Sequence, residues 1–594
     1  MGKRLKELTQ NNTKCMVKVN GVTLIEHMLR QLDGLGLDRI VIVTGYKGDL
    51  LTQFISTIDV STRIVYVDNP VYDKTNNIYS LYLAKDYLLR DDTLLLESDL
   101  IFEDSVLKEL IDDPRGTLAL VDKYESWMDG TVIKIDDEDN ITDFVPGKQF
   151  VFEDIPQYYK TVNIYKFGKD FSEQYYVPFL EAYSTALGKN EYYEQVLKVI
   201  TMLDKHVIKA KRLDGQKWYE IDDIQDLDIA SSMFAPDIEQ KIGLIQKRYG
   251  GYWRYPKMVD FCYLVNPYFP PQRLLDEMKA NFDKLMVQYP SGMGVNSLLA
   301  AKNFNMHTDH IVVGNGAAEI IKSIMEKLEG KCGFIRPTFE EYPNRYDQSR
   351  SVVYVPENKD FLYNADDVIG FFDDKDIDTL LVINPDNPSG NYLPHSDIIK
   401  LLEWTSEKGI RLIVDESFVD FAEEEESSLI SEEIIGKYPH AVVVKSISKS
   451  YGVPGVRLGI AVSADEGLIS FIKKDMSIWN INSFGEFYMQ IAGKYESDYK
   501  RSLQLMAESR KRFAEGLREI KGFRVVPSQA NYIMVEIGDR YTAAELTCIL
   551  LERYNLLIKD LTGKISRGGQ YIRVAVRDDE DNSKMLSALK ELYD

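Results

Sequence analysis

From Val22 to Leu32 the apolar residues Leu24, Ile25, Met28, Leu29 and Leu32 recur at helical spacing, and the run Arg39–Thr44 that follows is short, β-branched and stopped by Gly45. A helix and then a buried strand are expected. Further short apolar runs at Ile64–Val67, Thr93–Leu96 and Thr117–Val121 alternate with helical patterns, which predicts an α/β unit with a mostly parallel sheet. After a helical stretch over Ala230–Arg248, a second series of strands is expected at Ile311–Val313, Thr379–Ile383, Arg411–Val414 and Ala441–Val444. Polar or Gly-rich residues follow each of these at once, and in open α/β sheets ligands bind beyond the carboxyl ends of strands. From about Phe513 helical and strand periods mix, as in a small α+β domain. The expected boundaries are 1–232 for the first domain, 233–262 for a linker and arm, 263–510 for a large domain and 511–594 for a small one.

The 594 residues are too many for one hydrophobic core. Lys+Arg number 71 and Asp+Glu 94, a net charge of −23 whose field repels nucleic acid and anionic membrane surfaces. A phosphorylated ligand must therefore be held by local basic residues. Cys15, Cys262, Cys332 and Cys548 lie far apart without CxxC spacing, which argues against a disulfide framework or a zinc site. The N-terminus lacks the apolar core of a signal peptide, and no run approaches the roughly 18 apolar residues of a membrane span. A cytoplasmic protein that binds neither nucleic acid nor membrane is expected.

Four segments at expected strand ends carry chemistry: Gly314 to Glu319 (GNGAAE), Asn384 to Gly390 (NPDNPSG), Asp415 to Phe418 (DESF), and Ser446 to Lys449 (SISK) followed by Arg457. A lone Ser-x-x-Lys or a lone Asp after a strand is commonly a cap, but four such segments in one order are specific. Together they resemble the fold-type I aminotransferases, especially the histidinol-phosphate aminotransferase branch, and the likeness runs over residues 245–594. It implies a homodimer that uses pyridoxal phosphate. By this resemblance Lys449 links covalently to the cofactor and shuttles a proton, and Asp415 keeps the pyridine nitrogen protonated. Asn387 hydrogen-bonds the ring oxygen and Phe339 stacks on the ring. Ala317 and Ala318, at a helix N-terminus, hold the phosphate with Ser446 and Arg457. Arg573 grips the substrate carboxylate, and Tyr289 reaches the neighbouring subunit's phosphate. Phe418 stands where many relatives carry a tyrosine, which removes one hydrogen bond to the ring oxygen.

The first domain resembles the nucleotidyltransferases that activate phosphocholine or aminoethylphosphonate with CTP. The likeness rests on Gly2-Lys3-Arg4, Thr13-Lys14-Cys15, Val19-Asn20-Gly21, Asn76 to Ser80, Glu97-Ser98-Asp99 and Glu220-Ile221-Asp222. Attack on an α-phosphorus needs charge neutralisation on both of its faces. The resemblance assigns Asp99 and Asp222 to Mg²⁺ and Arg4 and Lys14 to the triphosphate. It assigns Trp127, Asp129 and Lys160 to the acceptor, with Asp129 pairing an ammonium group. The sequence begins inside the loop that opens this family, so a Rossmann-like sheet without its first strand is expected, as is weakened nucleotide binding.

These likenesses lead to an expected bifunctional enzyme. Transamination of a small phosphorylated or phosphonylated substrate, phosphonoacetaldehyde to 2-aminoethylphosphonate being the economical choice, would precede cytidylyl transfer from CTP. The alternatives are a histidinol-phosphate-type aminotransferase or a threonine-phosphate decarboxylase fused to a phosphocholine cytidylyltransferase, and an aminotransferase whose first domain only binds or dimerises.

Overall fold

The computed structural model describes residues 3–5, 7–186, 188–203, 207–565 and 568–594, so Gly2 lies outside the described residues, as does the side chain of Lys3. The chain forms two compact units, Met1–Arg254 and Tyr255–Asp594. Among the described residues no helix is long and apolar enough to cross a membrane.

In the first unit, Thr23 caps helix α1 (Leu24–Asp33) by accepting from the Glu26 amide, which satisfies a donor that has no partner within the helix. The helix buries Leu24, Ile25, Met28, Leu29 and Leu32, the stripe that its spacing predicts. Strands β1 (Ile40–Thr44) and β2 (Ile64–Asp68) pair in parallel as a separate two-stranded sheet. The remaining pairing departs from the expected parallel sheet. Strands β3 (Thr93–Leu96), β4 (Leu118–Lys123), β5 (Val132–Ile135), β6 (Ile141–Val145), β7 (Tyr158–Phe167) and β8 (Lys209–Arg212) form a sheet of order β8-β4-β7-β5-β6, with β3 also on β7. Its organising strand is β7, antiparallel to β3, β4 and β5. Because β7 is buried on both faces, it shows no alternation to mark it in the sequence. A register shift between Thr161 and Tyr165 leaves Asn163 with a φ of 59°, a bulge that re-aims its side chain. Among the described residues one edge of β1 and one edge of β3 have no strand partner, and both strands border one cavity of about 660 Å³ with α1.

The second unit is built on seven strands: β9 (Ile311–Asn315), β10 (Cys332–Ile335), β11 (Ser351–Tyr354), β12 (Thr379–Ile383), β13 (Arg411–Asp415), β14 (Ala441–Ser446) and β15 (Leu458–Val462). Their order is β9-β15-β14-β13-β12-β10-β11, parallel except for β15. The expected strands Thr379–Ile383, Arg411–Val414 and Ala441–Val444 are its centre. Strands β16 (Arg524–Val525), β17 (Tyr532–Glu536), β18 (Lys559–Asp560) and β19 (Tyr571–Ala575) make a smaller antiparallel sheet with its own apolar core.

At Gly459 in β15, a Cβ would lie 2.3 Å from the Ala317 amide nitrogen and 2.6 Å from the Gly316 carbonyl carbon. Neither backbone atom can swing aside. Gly459→Ala is expected to destabilise the second unit by about 1–3 kcal/mol, the usual cost of forcing extra atoms into a packed place. The urea midpoint of that unit checks it, and an unchanged midpoint would show that the loop relaxes freely.

Candidate functional site

In the second unit the loops after β9, β12, β13 and β14 meet. Helix α2 (Ala317–Lys327) starts directly after β9, with Gly316 at φ 77° as its cap. The Gly316 amide donates to the Arg457 carbonyl at 3.0 Å, and a Cβ on Gly316 would meet the Arg457 guanidinium. A glycine here therefore lets Arg457 lie against the start of α2, where free amides and the helix dipole favour an anion.

Asp415, at the end of β13, is buried and accepts from the Tyr342 hydroxyl at 2.7 Å and from the Ser417 amide at 2.8 Å. Burial pushes its carboxyl up, against the opposing pull of Ser417, Tyr342 and Lys449. Lys449 stands just after β14, and burial, then Arg573 and Arg457, push its amine down to about 8. Asn387 accepts from Arg573 Nη1 at 2.6 Å, while Arg573 Nη2 donates to the Cys262 carbonyl at 2.8 Å. Arg573 Nε has no hydrogen-bond partner among the described residues. Ser446 is buried with its amide on the Ser417 hydroxyl, whereas Phe339 is 39% exposed. Phe418 is buried against Tyr532, ring centres 5.1 Å apart. Tyr289 is 81% exposed and its ring lies 4.8 Å from that of Trp479.

These residues fit pyridoxal phosphate. An anion cradle at a helix start, a lysine with a depressed amine, a buried carboxylate and a buried guanidinium with a free Nε suit its phosphate, aldehyde, ring nitrogen and bound substrate respectively. Tyr342, which positions Asp415, was not legible beforehand, because a lone tyrosine in a short helix carries no spacing signal.

The first unit gathers acids. Carboxylate oxygens of Glu97, Asp99 and Glu220 lie within 4.8 Å of one another. Burial pushes Glu97 well above the usual range, with Asp99 and Glu194 adding to it, and pushes Glu220 to about 7. The Lys14 ammonium bridges Asp99 and Asp222, 2.6 Å from the latter, and Arg4 pairs with Asp222 at 2.9 Å. Burial alone would lower the Lys14 amine, but Asp99 and Asp222 hold it raised. The ammonium thus stands where a cation is wanted, between the two expected metal ligands. Asp222 itself lies outside the triad of acids, and Glu97 and Glu220 take part although neither was expected. Each lies two residues before an expected ligand, at or just past the end of a strand.

The expected acceptor residues each contact a neighbour or member of the acid group. Trp127 stacks on Tyr219 at 4.0 Å and donates to Glu125 at 2.9 Å. Asp129 is exposed and 3.5 Å from Arg4. Lys160 is buried on β7, 3.7 Å from Glu220, with its ammonium on the Thr161 carbonyl. Its turn towards the acids follows from the bulge beside it, since Asn163 accepts from Lys160 at 3.4 Å and donates to Glu220 at 3.4 Å.

The mostly parallel sheet and the lysine, buried carboxylate and anion cradle at its strand ends define a pyridoxal-phosphate-dependent enzyme of the aminotransferase fold. The profile of aminotransferase class I and II matches residues 259–589, and the chain belongs to that family. A profile described as a domain of unknown function matches residues 10–162. The CMP-5'-(3-aminopropyl)phosphonate synthase of Streptomyces rubellomurinus is 31% identical over 594 residues, 100% of this chain and 94% of that protein. The L-serine phosphate decarboxylase of Sulfurospirillum multivorans is 33% identical over 351 residues, 56% of this chain and 88% of its own. Among solved structures, a decarboxylase from Sulfurospirillum multivorans superposes with a TM-score of 0.53 at 31% identity, covering 58% of this chain and 90% of its own. The histidinol-phosphate aminotransferase from Clostridium acetobutylicum gives 0.51 at 27%, covering 57% and 99%.

Proposed function

We propose that the chain carries two activities. The second unit transforms a small amino acid that bears a phosphorus oxyanion, and the first transfers a cytidylyl group from CTP to an oxygen of that oxyanion in the product, with pyrophosphate leaving. One observation carries this reading: the full-length likeness to a CMP-aminopropylphosphonate synthase, joined to the Lys449–Asp415–Arg573 constellation. When bound, pyridoxal phosphate supplies an electron sink for the bond broken at the substrate's α-carbon. Lys449 holds the cofactor and moves the proton at its Nζ. Asp415, oriented by Tyr342 and Ser417, keeps the ring nitrogen charged. Arg573 orients the carboxylate with its free Nε, Asn387 bonds the ring oxygen, and Ala317, Ala318, Ser446 and Arg457 hold the phosphate.

Decarboxylation is the favoured outcome, because relatives above 30% identity include a serine phosphate decarboxylase. Transamination, phosphonoacetaldehyde to 2-aminoethylphosphonate included, is the second reading and is favoured by the family match. In the first unit Asp99 and Asp222, with Glu97 and Glu220, would hold Mg²⁺. Arg4 and Lys14 would leave their carboxylates for the triphosphate. Trp127, Asp129 and Lys160 remain the proposed acceptor contacts. A homodimer fits the exposed apolar side chains Val287, Tyr289, Ile478 and Trp479, which a partner subunit would cover.

The test uses holoenzyme with O-phospho-L-serine and with 2-amino-4-phosphonobutyrate, read by carbon dioxide release, followed by CTP and Mg²⁺ with pyrophosphate as the readout. Carbon dioxide and then pyrophosphate is the expected result. Pyruvate from alanine and phosphonoacetaldehyde without carbon dioxide would establish transamination instead, and neither product would overturn the substrate class.

A further inference from the structure

The site of the second unit holds more positive charge than one carboxylate can use. Lys564, in the short turn Thr562–Lys564 between β18 and β19, donates to the Thr338 carbonyl at 3.1 Å, next to the cofactor-facing Phe339. Among the described residues that carbonyl is its one hydrogen-bond partner, and an ammonium has three donors to place. Arg573 adds positive charge at Lys564, and it is buried with both terminal nitrogens engaged and Nε without a partner among the described residues. Arg336 and Lys559 add positive charge at Lys564. Two acids oppose them: Glu340 is itself paired with Arg336 at 3.1 Å, and burial pushes the Asp386 carboxyl up to about 7. Burial and these neighbouring cations push the Lys564 amine down to about 8. Buried charge of one sign with spare donors is costly unless an anion completes it.

The fork of Arg573 suits a carboxylate, which takes one negative charge and two donors. A phosphate or phosphonate brings up to about two negative charges and three acceptor oxygens, the complement of an ammonium with unused donors among other cations. We propose that Lys564 binds the phosphorus oxyanion of the substrate while Arg573 binds its carboxylate. The pocket would then select amino acids that carry phosphorus at the far end of the side chain. This rests on the reading of Arg573 and the cofactor site given above. It also gives a reason for a loop lysine that shares no motif with the cofactor residues.

The experiment titrates methylphosphonate, which has no carboxylate, into the holoenzyme by calorimetry, comparing wild type, Lys564→Gln and Lys564→Arg. Wild type is expected to bind and Lys564→Gln to bind about 30-fold more weakly, which is about 2 kcal/mol at 1.4 kcal/mol per tenfold. Lys564→Arg, which keeps the charge, should stay within about 5-fold. KM for O-phospho-L-serine should rise in Lys564→Gln as binding falls, with kcat nearly unchanged, the signature of lost uniform binding. Equal methylphosphonate affinity in wild type and Lys564→Gln, or no binding to wild type, would overturn the proposal. Wild type that binds methylphosphonate yet turns over no phosphorylated amino acid would leave the oxyanion subsite standing and refute the proposed reaction.

Discussion

Lys449→Ala holoenzyme is expected to lose at least about 10⁴ of its turnover, the upper range of what one positioned proton carrier contributes, with its cofactor bound only noncovalently. Lys449 has its amine pushed down to about 8, so removing it takes away the nucleophile together with an amine that is still mostly protonated at neutral pH. Size is not a concern, since alanine leaves a space open to cofactor and substrate. The sign of the pH dependence follows from the depressed amine, because only the neutral form attacks an aldehyde. In wild type, covalent loading should quicken about tenfold per pH unit below about 8 and level off above it. Stopped-flow absorbance of cofactor loading and carbon dioxide release by the loaded variant check both statements. Turnover within a hundredfold of wild type would remove Lys449 from the chemistry.

Asp99→Asn should abolish cytidylyl transfer, by at least about 10³-fold, and leave the other activity untouched. A metal ion at a transferring phosphoryl group contributes several kcal/mol, and 1.36 kcal/mol is a factor of ten. Asp99 sits with Glu97 and Glu220 and shares Lys14 with Asp222, so it links the three clustered acids to the fourth. The amide is nearly isosteric, which keeps the packing and removes the charge. Pyrophosphate release in the presence of Mg²⁺ is the measurement. More than a tenth of wild-type activity would place the metal elsewhere, and wild type with no pyrophosphate would make the first unit a binding module.

Much of the second unit was readable in the sequence because its central strands are short continuous apolar runs that end in loops with unusual composition. The Asn384–Gly390 loop and the Ser446–Lys449 turn need no tertiary knowledge to be noticed. Tyr342 and Lys564 escape such reading, because their roles come from where two distant segments meet. In the first unit the antiparallel strand Tyr158–Phe167 reverses the pairing that the apolar runs suggested. Burial of both its faces erases the period that would have marked it. Glu97 and Glu220 were quoted with their motifs, yet only the fold reveals that they face one another.

The unpaired edges beside the 660 Å³ cavity bear on how the first unit comes apart. Among the described residues no ladder joins Ile40–Thr44 to Thr93–Leu96, so side-chain contacts, the Arg39–Asp91 ion pair at 3.3 Å among them, fasten the outer two-stranded piece to the main sheet. Amide hydrogen exchange should therefore alternate along Ile40–Thr44, slow where the N–H meets Ile64–Asp68 and fast where it meets the cavity. The same edges can accept any extended apolar segment, so self-association of this protein should grow with concentration through added strands.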